Sequence, residues 1–182
     1  MKTFPPSSSP LKDPDSFDTL GVEERERVES QLRGLIDGRH PGILMTVDLL
    51  GCPRGRWMVP LLLDGMPHLY ALTAKKSRKV THIERDPSVS WLFGDIEAGL
   101  IATFTGTAKV CHSPEIRLAV WRRVRDRSRE YFLRDCVKGF DYAVIETTLD
   151  YGEGFLPEGA KRFRIDVDRL EVDAFPPSPN GS

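Results

Sequence analysis

The stretch LYALTAKKSRKV, residues 69–80, carries the chain from a predicted strand into a predicted helix. The strand is predicted over His68–Thr73. The helix is predicted over Ser77–Arg85, because it begins at a capping serine and is stopped by Asp86-Pro87. A helix start presents unpaired backbone N–H groups and the positive end of the helix dipole. The cationic side chains at this junction are Lys75, Lys76, Arg78 and Lys79.

This junction has the composition of a phosphate site. An arginine can bind a phosphate with two parallel hydrogen bonds, and a lysine adds a point charge. The hydroxyl groups of Thr73 and Ser77 can donate to the remaining phosphate oxygens. The alternative is that Ser77 only caps the helix and that the lysines are solvated. Charged helix starts are common, so the local residues favour neither interpretation.

Outward from this junction most of the chain is predicted to form strands. The other predicted strands are Ile43–Leu50, Arg54–Leu63, Val89–Phe93, Leu100–Val110, Tyr142–Leu149 and Phe163–Val172. Turns are predicted at Gly51-Cys52-Pro53 and at Asp64-Gly65, and Gly106 is a candidate bulge. The tight connections among the first three strands favour antiparallel pairing. Six or seven short strands with few helices predict a mainly β (α+β) barrel rather than a doubly wound sheet.

Two further helices are predicted beside the strands. An amphipathic helix is predicted over Leu20–Ile36, closed by Gly38, with its apolar face formed by Val28, Leu32, Leu35 and Ile36. A second helix is predicted to start at Ser113-Pro114-Glu115 and to run to about Arg134. Its apolar face is Ile116, Val120 and Val124, next to Trp121, for which we expect a packing role. Its arginines are Arg117, Arg122, Arg123, Arg125, Arg127 and Arg129; they are interspersed with acids and not with aromatic residues, which favours a solvated face over an RNA-binding surface.

Composition predicts one globular domain without a global charge bias. The chain has 182 residues, with 26 Lys plus Arg against 27 Asp plus Glu. This balance provides no field that would attract nucleic acid or an anionic membrane. Residues 1–18 are rich in proline and serine and are predicted to be flexible, as are residues 176–182. The folded domain is therefore predicted over residues 19–175.

The sequence predicts a cytoplasmic protein without a metal site. Cys52, Cys111 and Cys136 are too few and too scattered for a disulfide framework or a zinc site, which indicates reduced thiols. Residues 1–10 lack the apolar segment of a secretory signal. No apolar run approaches the roughly 20 residues that a membrane helix needs.

The junction and its surroundings resemble a known family. Thr-x-x-x-Ser-Arg-Lys lies between strand and helix, follows a strand with an arginine and precedes Asp-Pro-x-Val. This pattern resembles the pyridoxamine 5'-phosphate oxidase-like superfamily of FMN-binding split barrels, and in particular its general-stress-protein branch. The likeness runs from about Ile43 to Leu149. It implies a split β-barrel of six to seven mostly antiparallel strands with three to four flanking helices, and a homodimer that binds one FMN per subunit in clefts at the interface.

The resemblance also implies which residues bind the cofactor. Those expected at the FMN phosphate are Thr73, Ser77, Arg78 and Lys79. Those expected along the ribityl chain and the flavin ring are Arg56, Trp57 and Met58, and Leu72 would present its main chain to the ring. The residues alone leave Trp57 open between a flavin contact and an ordinary core or interface aromatic, whereas Trp91 is expected in the core or at an interface.

The sequence departs from the oxidase proper at one stretch. The oxidase carries Arg-x-Val-Leu-Leu-Lys on its second strand, and here residues 56–61 read RWMVPL, without the terminal lysine. The C-terminal Trp-to-Arg substrate segment is also absent. We therefore expect an FMN-dependent oxidoreductase acting on another small molecule, with hydride transfer through flavin N5 from an organic or nicotinamide donor. No catalytic side chain is predicted, because the cofactor carries the chemistry.

Two alternatives use the same barrel. The first is a flavin-binding stress or carrier protein without turnover, which would make identical contacts with the phosphate and ring. The second is a barrel that binds haem or a deazaflavin in place of FMN. Haem would need an axial histidine, and none of the four histidines is placed convincingly for that role.

Overall fold

The computed structural model describes residues 16–36, 40–63, 65–95, 97, 99–124, 142–168 and 170–172. Within these ranges there are three α-helices: α1 (Val22–Leu35), α2 (Arg78–Arg85) and α3 (Pro114–Arg123). The strands are β1 (Gly42–Val47), β2 (Pro53–Met58), β3 (Pro60–Leu61), β4 (His68–Ala74), β5 (Ser88–Asp95), β6 (Leu100–Cys111), β7 (Tyr142–Leu156), β8 (Lys161–Asp166) and β9 (Glu171–Val172). None of the helices in these ranges is long and apolar enough to cross a membrane.

The strands form one antiparallel sheet that curls back on itself. Its order is β2-β1-β5-β6-β7-β4-β3, and β8 and β9 extend it from β7. Only Val59 separates β2 from β3, so the two ends of the path belong to one segment. Met58 pairs with Gly42 on β1, and Pro60 pairs with Ala71 on β4. The structure confirms the predicted mainly β split barrel of antiparallel strands with flanking helices.

Two of the seven predicted strands each divide in two, which raises the number of described strands to nine. The predicted Arg54–Leu63 strand breaks at Val59, where the chain leaves one neighbour for another and Pro60 has no N–H to donate. The predicted Phe163–Val172 strand is instead the hairpin of β8 and β9, in which Ile165 pairs with Val172. Its turn is held by the backbone N–H of Asp168, which donates to the Asp166 carboxylate over 2.9 Å.

Other strand ends also differ from prediction. The predicted Ile43–Leu50 strand ends at Val47, because the Asp48 carboxylate accepts hydrogen bonds from the backbone N–H groups of Leu50 and Cys52 and so forms a turn. The connection between β3 and β4 spans residues 62–67 rather than a two-residue hairpin, and Asp64 lies outside the described residues. Gly38 also lies outside them.

Strand β7 is longer than predicted, because the segment that contains Gly152 and Gly154 stays in the sheet. It runs past Leu149 to Leu156, where Gly152 and Gly154 leave room for aromatic rings on the inner face. A Cβ on Gly154 would collide with the Phe163 ring. The predicted irregularity at Gly106 is confirmed, since the register of β6 against β7 shifts between Thr105 and Gly106, but the extra residue is Asp150 on β7 rather than a residue of β6.

The barrel interior holds most of the core. Trp91 is fully buried and stacks on Phe93 with ring centroids 5.9 Å apart, and Phe104 meets Phe93 edge-on. The indole N–H of Trp91 donates to the Thr147 hydroxyl over 3.3 Å. The core placement expected for Trp91 is confirmed. The predicted apolar face of α1 is also buried, through Val28, Leu32, Leu35 and the following Ile36.

Helix α3 covers a second apolar cluster on the outer side of β4 and β7. Val120 packs there with Leu72 and Val144, and Trp121 stacks on Tyr142 at 5.0 Å. The predicted start is confirmed, because the Ser113 hydroxyl accepts from the backbone N–H of Ile116 over 3.3 Å. The predicted end at Arg134 is wrong: Val124 already has extended backbone, and residues 125–134 lie outside the described residues.

A solvated face is predicted for the arginines of α3, but two of them contact other parts of the fold. Arg117 lies over the Tyr142 ring at 5.1 Å and donates to the carbonyl of the same residue. Arg123 donates to the carbonyls of Leu62 and Leu63. These side chains anchor the helix and the adjoining loop. Arg125, Arg127 and Arg129 lie outside the described residues.

The N-terminal residues that the structure describes contact β8. Asp18 exchanges hydrogen bonds with Arg162 through its backbone N–H and its carboxylate. The Phe17 ring lies beside the guanidinium groups of Arg162 and Arg164, at 5.5 and 4.7 Å. Phe17 and Asp18, in the segment predicted to be flexible, are therefore in contact with the barrel. Residues 1–15 and 173–182 lie outside the described residues.

Candidate functional site

Strand β4 passes into α2 through a tight turn, and Ser77 is the N-cap residue of the helix, as predicted. Its backbone is extended, and the backbone N–H of Val80 donates to its carbonyl over 3.0 Å. Its side chain makes no capping hydrogen bond. Instead, Ser77 Oγ lies 3.1 Å from Thr73 Oγ1 at the end of β4. The interpretation that Ser77 only caps the helix is therefore disfavoured, and the first turn of α2 keeps its own N–H donors.

Thr73 joins the hydroxyl pair to a lysine. Lys79 Nζ donates to Thr73 Oγ1 over 2.8 Å, and Thr73 is only 2% exposed. Lys79 itself is partly buried. Burial lowers the pKa of Lys79, and the nearby positive charge of Arg56 lowers it further. Thr73, Ser77 and Lys79 thus form one hydrogen-bonded group at the junction of strand and helix.

Arg56 reaches the same corner from β2. Its Nη1 donates to Thr46 Oγ1 over 2.9 Å and to the Arg54 carbonyl over 3.0 Å. Burial lowers the pKa of Arg56, followed by repulsion from Arg78 and then from Arg54. These interactions place Arg56 close to Arg78 and Lys79 of α2, although it lies far from them in sequence. We refer to Arg56, Thr73, Ser77, Arg78 and Lys79 as the cationic corner.

The cations of this corner have no acidic partners among the described residues. In the part of the chain that the structure describes, no ion pair joins a carboxylate to Arg56, Arg78 or Lys79. Arg56 and Lys79 are also partly buried. Bringing cations together and partly burying two of them is unfavourable unless an opposite charge binds there. Hydroxyl groups and helix N–H donors lie beside them, so the arrangement is suited to an oxyanion such as a phosphate.

The carboxylate of Asp48, which acts on the neighbouring His82, is already engaged. Asp48 Oδ2 lies 2.7 Å from Arg54 Nε, and Asp48 Oδ1 accepts from two backbone N–H groups. These hydrogen bonds, that from Cys52 first, lower the pKa of Asp48 to about 2. Asp48 is therefore ionised and paired with Arg54, and it leaves the positive charge of Arg56 uncompensated.

Sequence reasoning missed two polar residues behind Arg56. His82 on α2 is buried, and its Nδ1 lies 3.0 Å from Thr46 Oγ1 on β1. Burial lowers the pKa of His82; Arg56, Arg78 and Arg54 lower it further, and Asp48 opposes the shift. The signal for Thr46 was its alternation with Leu44, which places a polar side chain on the inner face of a strand.

The residues expected at the flavin ring do not all gather at the corner. Strand alternation places Arg56 and Met58 on the inner face of β2 and Trp57 on the outer face, where it is 71% exposed. Met58 is buried at the far end of the strand, opposite Gly42. The Leu72 side chain packs under α3, so this residue can offer only its main chain to a ligand beside Thr73.

A separate cleft elsewhere has balanced charges. It has a volume of about 380 Å³ and lies between α1 and the turn before β8. Its lining includes Glu24, Arg27, Glu158 and Lys161. Lys161 Nζ already lies 2.7 Å from a Glu24 oxygen. This cleft therefore offers no net charge to attract an anionic ligand. No group of three or more His, Cys, Asp or Glu side chains in the described ranges could hold a metal ion.

Solved structures with the same fold are similar to this chain. General stress protein 26 from Bacillus anthracis str. Sterne is 22% identical, and the match covers 76% of this chain and 99% of that chain with a TM-score of 0.59. A pyridoxamine 5'-phosphate oxidase-related, FMN binding protein from Nostoc punctiforme PCC 73102 is 17% identical over 88% of this chain and 100% of that chain, with a TM-score of 0.63. An F420 reductase is 16% identical over 66% of this chain and 94% of that chain, with a TM-score of 0.50.

At these identities the structural neighbours show the fold alone, and no curated protein matches the chain. The family itself is shown by a sequence model. The model described as pyridoxamine 5'-phosphate oxidase matches residues 28–154, more than half of the chain, from α1 to the second half of β7. Together with the barrel and the cationic corner, this match shows that the chain belongs to the pyridoxamine 5'-phosphate oxidase family.

Proposed function

We propose that the protein binds FMN at the cationic corner and uses it as an oxidoreductase acting on a small molecule. The observation that carries this proposal is the set of cations Arg56, Arg78 and Lys79, which pair with no carboxylate of the described residues, beside the hydroxyls of Thr73 and Ser77. A phosphate monoester carries a charge of about −1.5 to −2 at neutral pH. Three cations can neutralise that charge, and the helix start adds oriented N–H donors.

The residues have separate tasks in this proposal. Lys79 and Arg78 neutralise the phosphate, and Arg56 binds it from strand β2. Thr73 and Ser77 orient it by hydrogen bonds, which fixes where the rest of the ligand begins. The Leu72 main chain lies next to Thr73, where it can contact the ring system. Bound FMN supplies hydride transfer at N5, from a reduced nicotinamide or another organic donor.

The substrate is proposed to differ from that of the oxidase proper. Residue 61, where the oxidase pattern has lysine, is a leucine that is 4% exposed and packs in the cluster beneath α3. No cation stands at this position to meet a second phosphate. We therefore do not assign pyridoxamine-phosphate oxidation to this chain.

A homodimer is part of the proposal, and the outer face of the barrel supports it. Trp57 is 71% exposed and pairs with Ile43, which in turn pairs with Leu92 on β5. These side chains form an apolar strip on one face of the sheet. A second copy that covers this strip would lie next to β2, which carries Arg56. Trp57→Glu should then give monomers by light scattering, and a wild-type monomer would contradict the proposed assembly.

A deazaflavin is the second candidate cofactor, because an F420 reductase shares this fold. A flavin carrier without turnover would use the same corner, and haem would need an axial ligand that the corner does not provide. We place the protein in the cytoplasm, in agreement with the free thiols of Cys52 and Cys111.

The absorbance spectrum of the purified protein reconstituted with FMN tests the cofactor. Bound FMN should give two bands, in the near ultraviolet and the blue, that persist through gel filtration. NADH or NADPH should bleach them, and air should restore them. A spectrum without flavin bands after reconstitution would contradict FMN binding, whereas stable bands that no donor bleaches would favour the carrier.

A further inference from the structure

Arg56 is held from behind by a buried polar pair. Thr46 Oγ1 accepts a 2.9 Å hydrogen bond from Arg56 Nη1 and lies 3.0 Å from His82 Nδ1. Thr46 is 1% exposed and His82 is 7% exposed. The three residues come from β1, β2 and α2, so only the folded barrel brings them together. Neither Thr46 nor His82 is among the residues that the family resemblance implies.

The protons of this group can be assigned from hydrogen-bonding capacity. An arginine can only donate, so the Thr46 hydroxyl accepts from Arg56. The one proton of that hydroxyl is then available for His82 Nδ1, provided that the imidazole is neutral and carries its proton on Nε2. Burial and the neighbouring arginines lower the pKa of His82 and therefore favour the neutral form.

The same contacts leave one edge of the Arg56 guanidinium available. Nη1 uses its two protons on the Thr46 hydroxyl and the Arg54 carbonyl. The remaining donors are on Nη2 and Nε, which form the fork that binds an oxyanion through two parallel hydrogen bonds. In the described residues no other hydrogen bond to Arg56 competes for that fork. The direction of the fork is thus set from the rear of the side chain.

We propose that Thr46 and His82 are positioning residues that hold the Arg56 guanidinium with its free fork toward the phosphate of the bound ligand, a role that rests on the proposed flavin-phosphate site. Without this support, repulsion from Arg78 and Lys79 drives the flexible arginine side chain toward solvent. Holding the side chain in place before the ligand arrives reduces the ordering cost of binding.

The test compares Thr46→Val, which deletes the hydroxyl while keeping the shape, with Thr46→Ser, which keeps the hydroxyl. The dissociation constants of FMN and of riboflavin, which lacks the phosphate, are measured by flavin fluorescence. Thr46→Val should weaken FMN binding about five- to tenfold, because a charge-assisted contact is misdirected rather than removed. Riboflavin binding should stay within about twofold, and Thr46→Ser should restore most of the FMN affinity.

A double-mutant cycle separates positioning from general stability. In an Arg56→Gln background, Thr46→Val should weaken FMN binding by less than about twofold further, because there is no guanidinium left to position. The contact between Thr46 and His82 is tested in the same way. His82→Leu should resemble Thr46→Val, and His82→Gln, which retains an acceptor for the Thr46 proton, should lie closer to the wild type.

Thr147→Val is the matched control. Thr147 is also a buried threonine of the barrel, but its hydroxyl accepts from Trp91 rather than from Arg56. Thr147→Val should lower the melting temperature and leave the ratio of FMN to riboflavin affinity unchanged. If Thr46→Val behaves like Thr147→Val, or acts equally in the presence and absence of Arg56, the positioning role is wrong.

A ligand-free measurement distinguishes failure of this inference from failure of the proposed function. In the wild type, NMR of the arginine side chains should show slowly exchanging Arg56 guanidinium protons, which Thr46→Val should make exchange rapidly. If wild-type protein binds no FMN, the proposed function fails, and these protons still report whether Thr46 holds Arg56. Rapid exchange already in the wild type would show that Thr46 does not hold the Arg56 guanidinium.

Discussion

The cationic corner and the first two residues of β8 use the same types of side chain in opposite ways. At β8, Lys161 pairs with Glu24 at 2.7 Å and Arg162 pairs with Glu153 at 3.2 Å. At the corner, Arg56 and Lys79 donate only to hydroxyl and carbonyl oxygens of the described residues. The charges at β8 are balanced by described carboxylates, whereas no described carboxylate balances those at the corner.

This difference separates a structural role from a binding role. Paired surface charges contribute little net stability and have no capacity left for a ligand. Cations grouped without carboxylates repel one another, and the lowered pKa values of Arg56 and Lys79 follow from burial first and from this repulsion second. A bound oxyanion would relieve the repulsion. Variants in the two regions should therefore respond differently to FMN.

The largest effect is expected on cofactor affinity. Lys79→Ala should weaken FMN binding by about ten- to a hundredfold, because one charge-assisted contact is worth about 1.5–3 kcal/mol. Arg78→Ala should act in the same direction. Lys161→Ala, which removes a cation of the balanced region, should leave the affinity within about twofold. Fluorescence titration at constant ionic strength measures all three, and similar losses at Lys79 and Lys161 would remove the distinction between the regions.

A smaller effect is expected in the dependence of stability on pH. The pKa of His82 in the folded protein lies below its ordinary value of 6.5, because of burial and then of the charge of Arg56. The unfolded chain therefore binds a proton more readily than the folded one. The stability that neutral His82 provides is complete above about pH 6.5 and is lost as the pH falls through the folded-state pKa.

Urea unfolding at several pH values measures this dependence. His82→Gln should flatten the acid side of the stability profile between neutral pH and the pKa of folded His82. Bound phosphate should move the pKa of His82 back toward its ordinary value, because the anion offsets the charge of Arg56. An NMR titration of the imidazole that gives the same pKa with and without phosphate would place the anion somewhere other than the corner.

The smallest effect is expected on the stability of the ligand-free protein. Lys161→Gln should lower the free energy of unfolding by less than about 1 kcal/mol, as is usual for partly exposed ion pairs. Arg78→Gln should leave that free energy unchanged or raise it slightly at low salt, because it reduces repulsion. Urea unfolding at low and high ionic strength compares the two. A clear loss of stability in Arg78→Gln would mean that Arg78 has a structural partner after all.

The sequence predicted the corner well where its parts are close together along the chain. Thr73, Ser77 and Lys79 lie on one strand-to-helix junction, so local geometry almost dictates that their side chains meet. The family resemblance added Arg56. The contact between Thr46 and His82 could not be predicted, because it depends on the packing of α2 against β1, which no local pattern specifies.

The elements of the barrel were predicted more reliably than their limits. The antiparallel pairing among the first three predicted strands and the register shift at Gly106 followed from turn and glycine signals. The break at Val59 could not be predicted from such signals. It arises where the chain stops pairing with β1 and begins to pair with β4. The extension of β7 was missed because Gly152 and Gly154 suggest a loop in sequence, although in the fold they accommodate aromatic rings.

The ratio of the riboflavin and FMN dissociation constants of the wild-type protein tests the central claim most directly. The two ligands share the ring and the ribityl chain and differ in the phosphate. If the cationic corner holds the phosphate, FMN should bind at least about a hundredfold more tightly than riboflavin, with the advantage shrinking at high salt. Equal affinity for the two ligands would contradict the claim that the cationic corner forms a phosphate site.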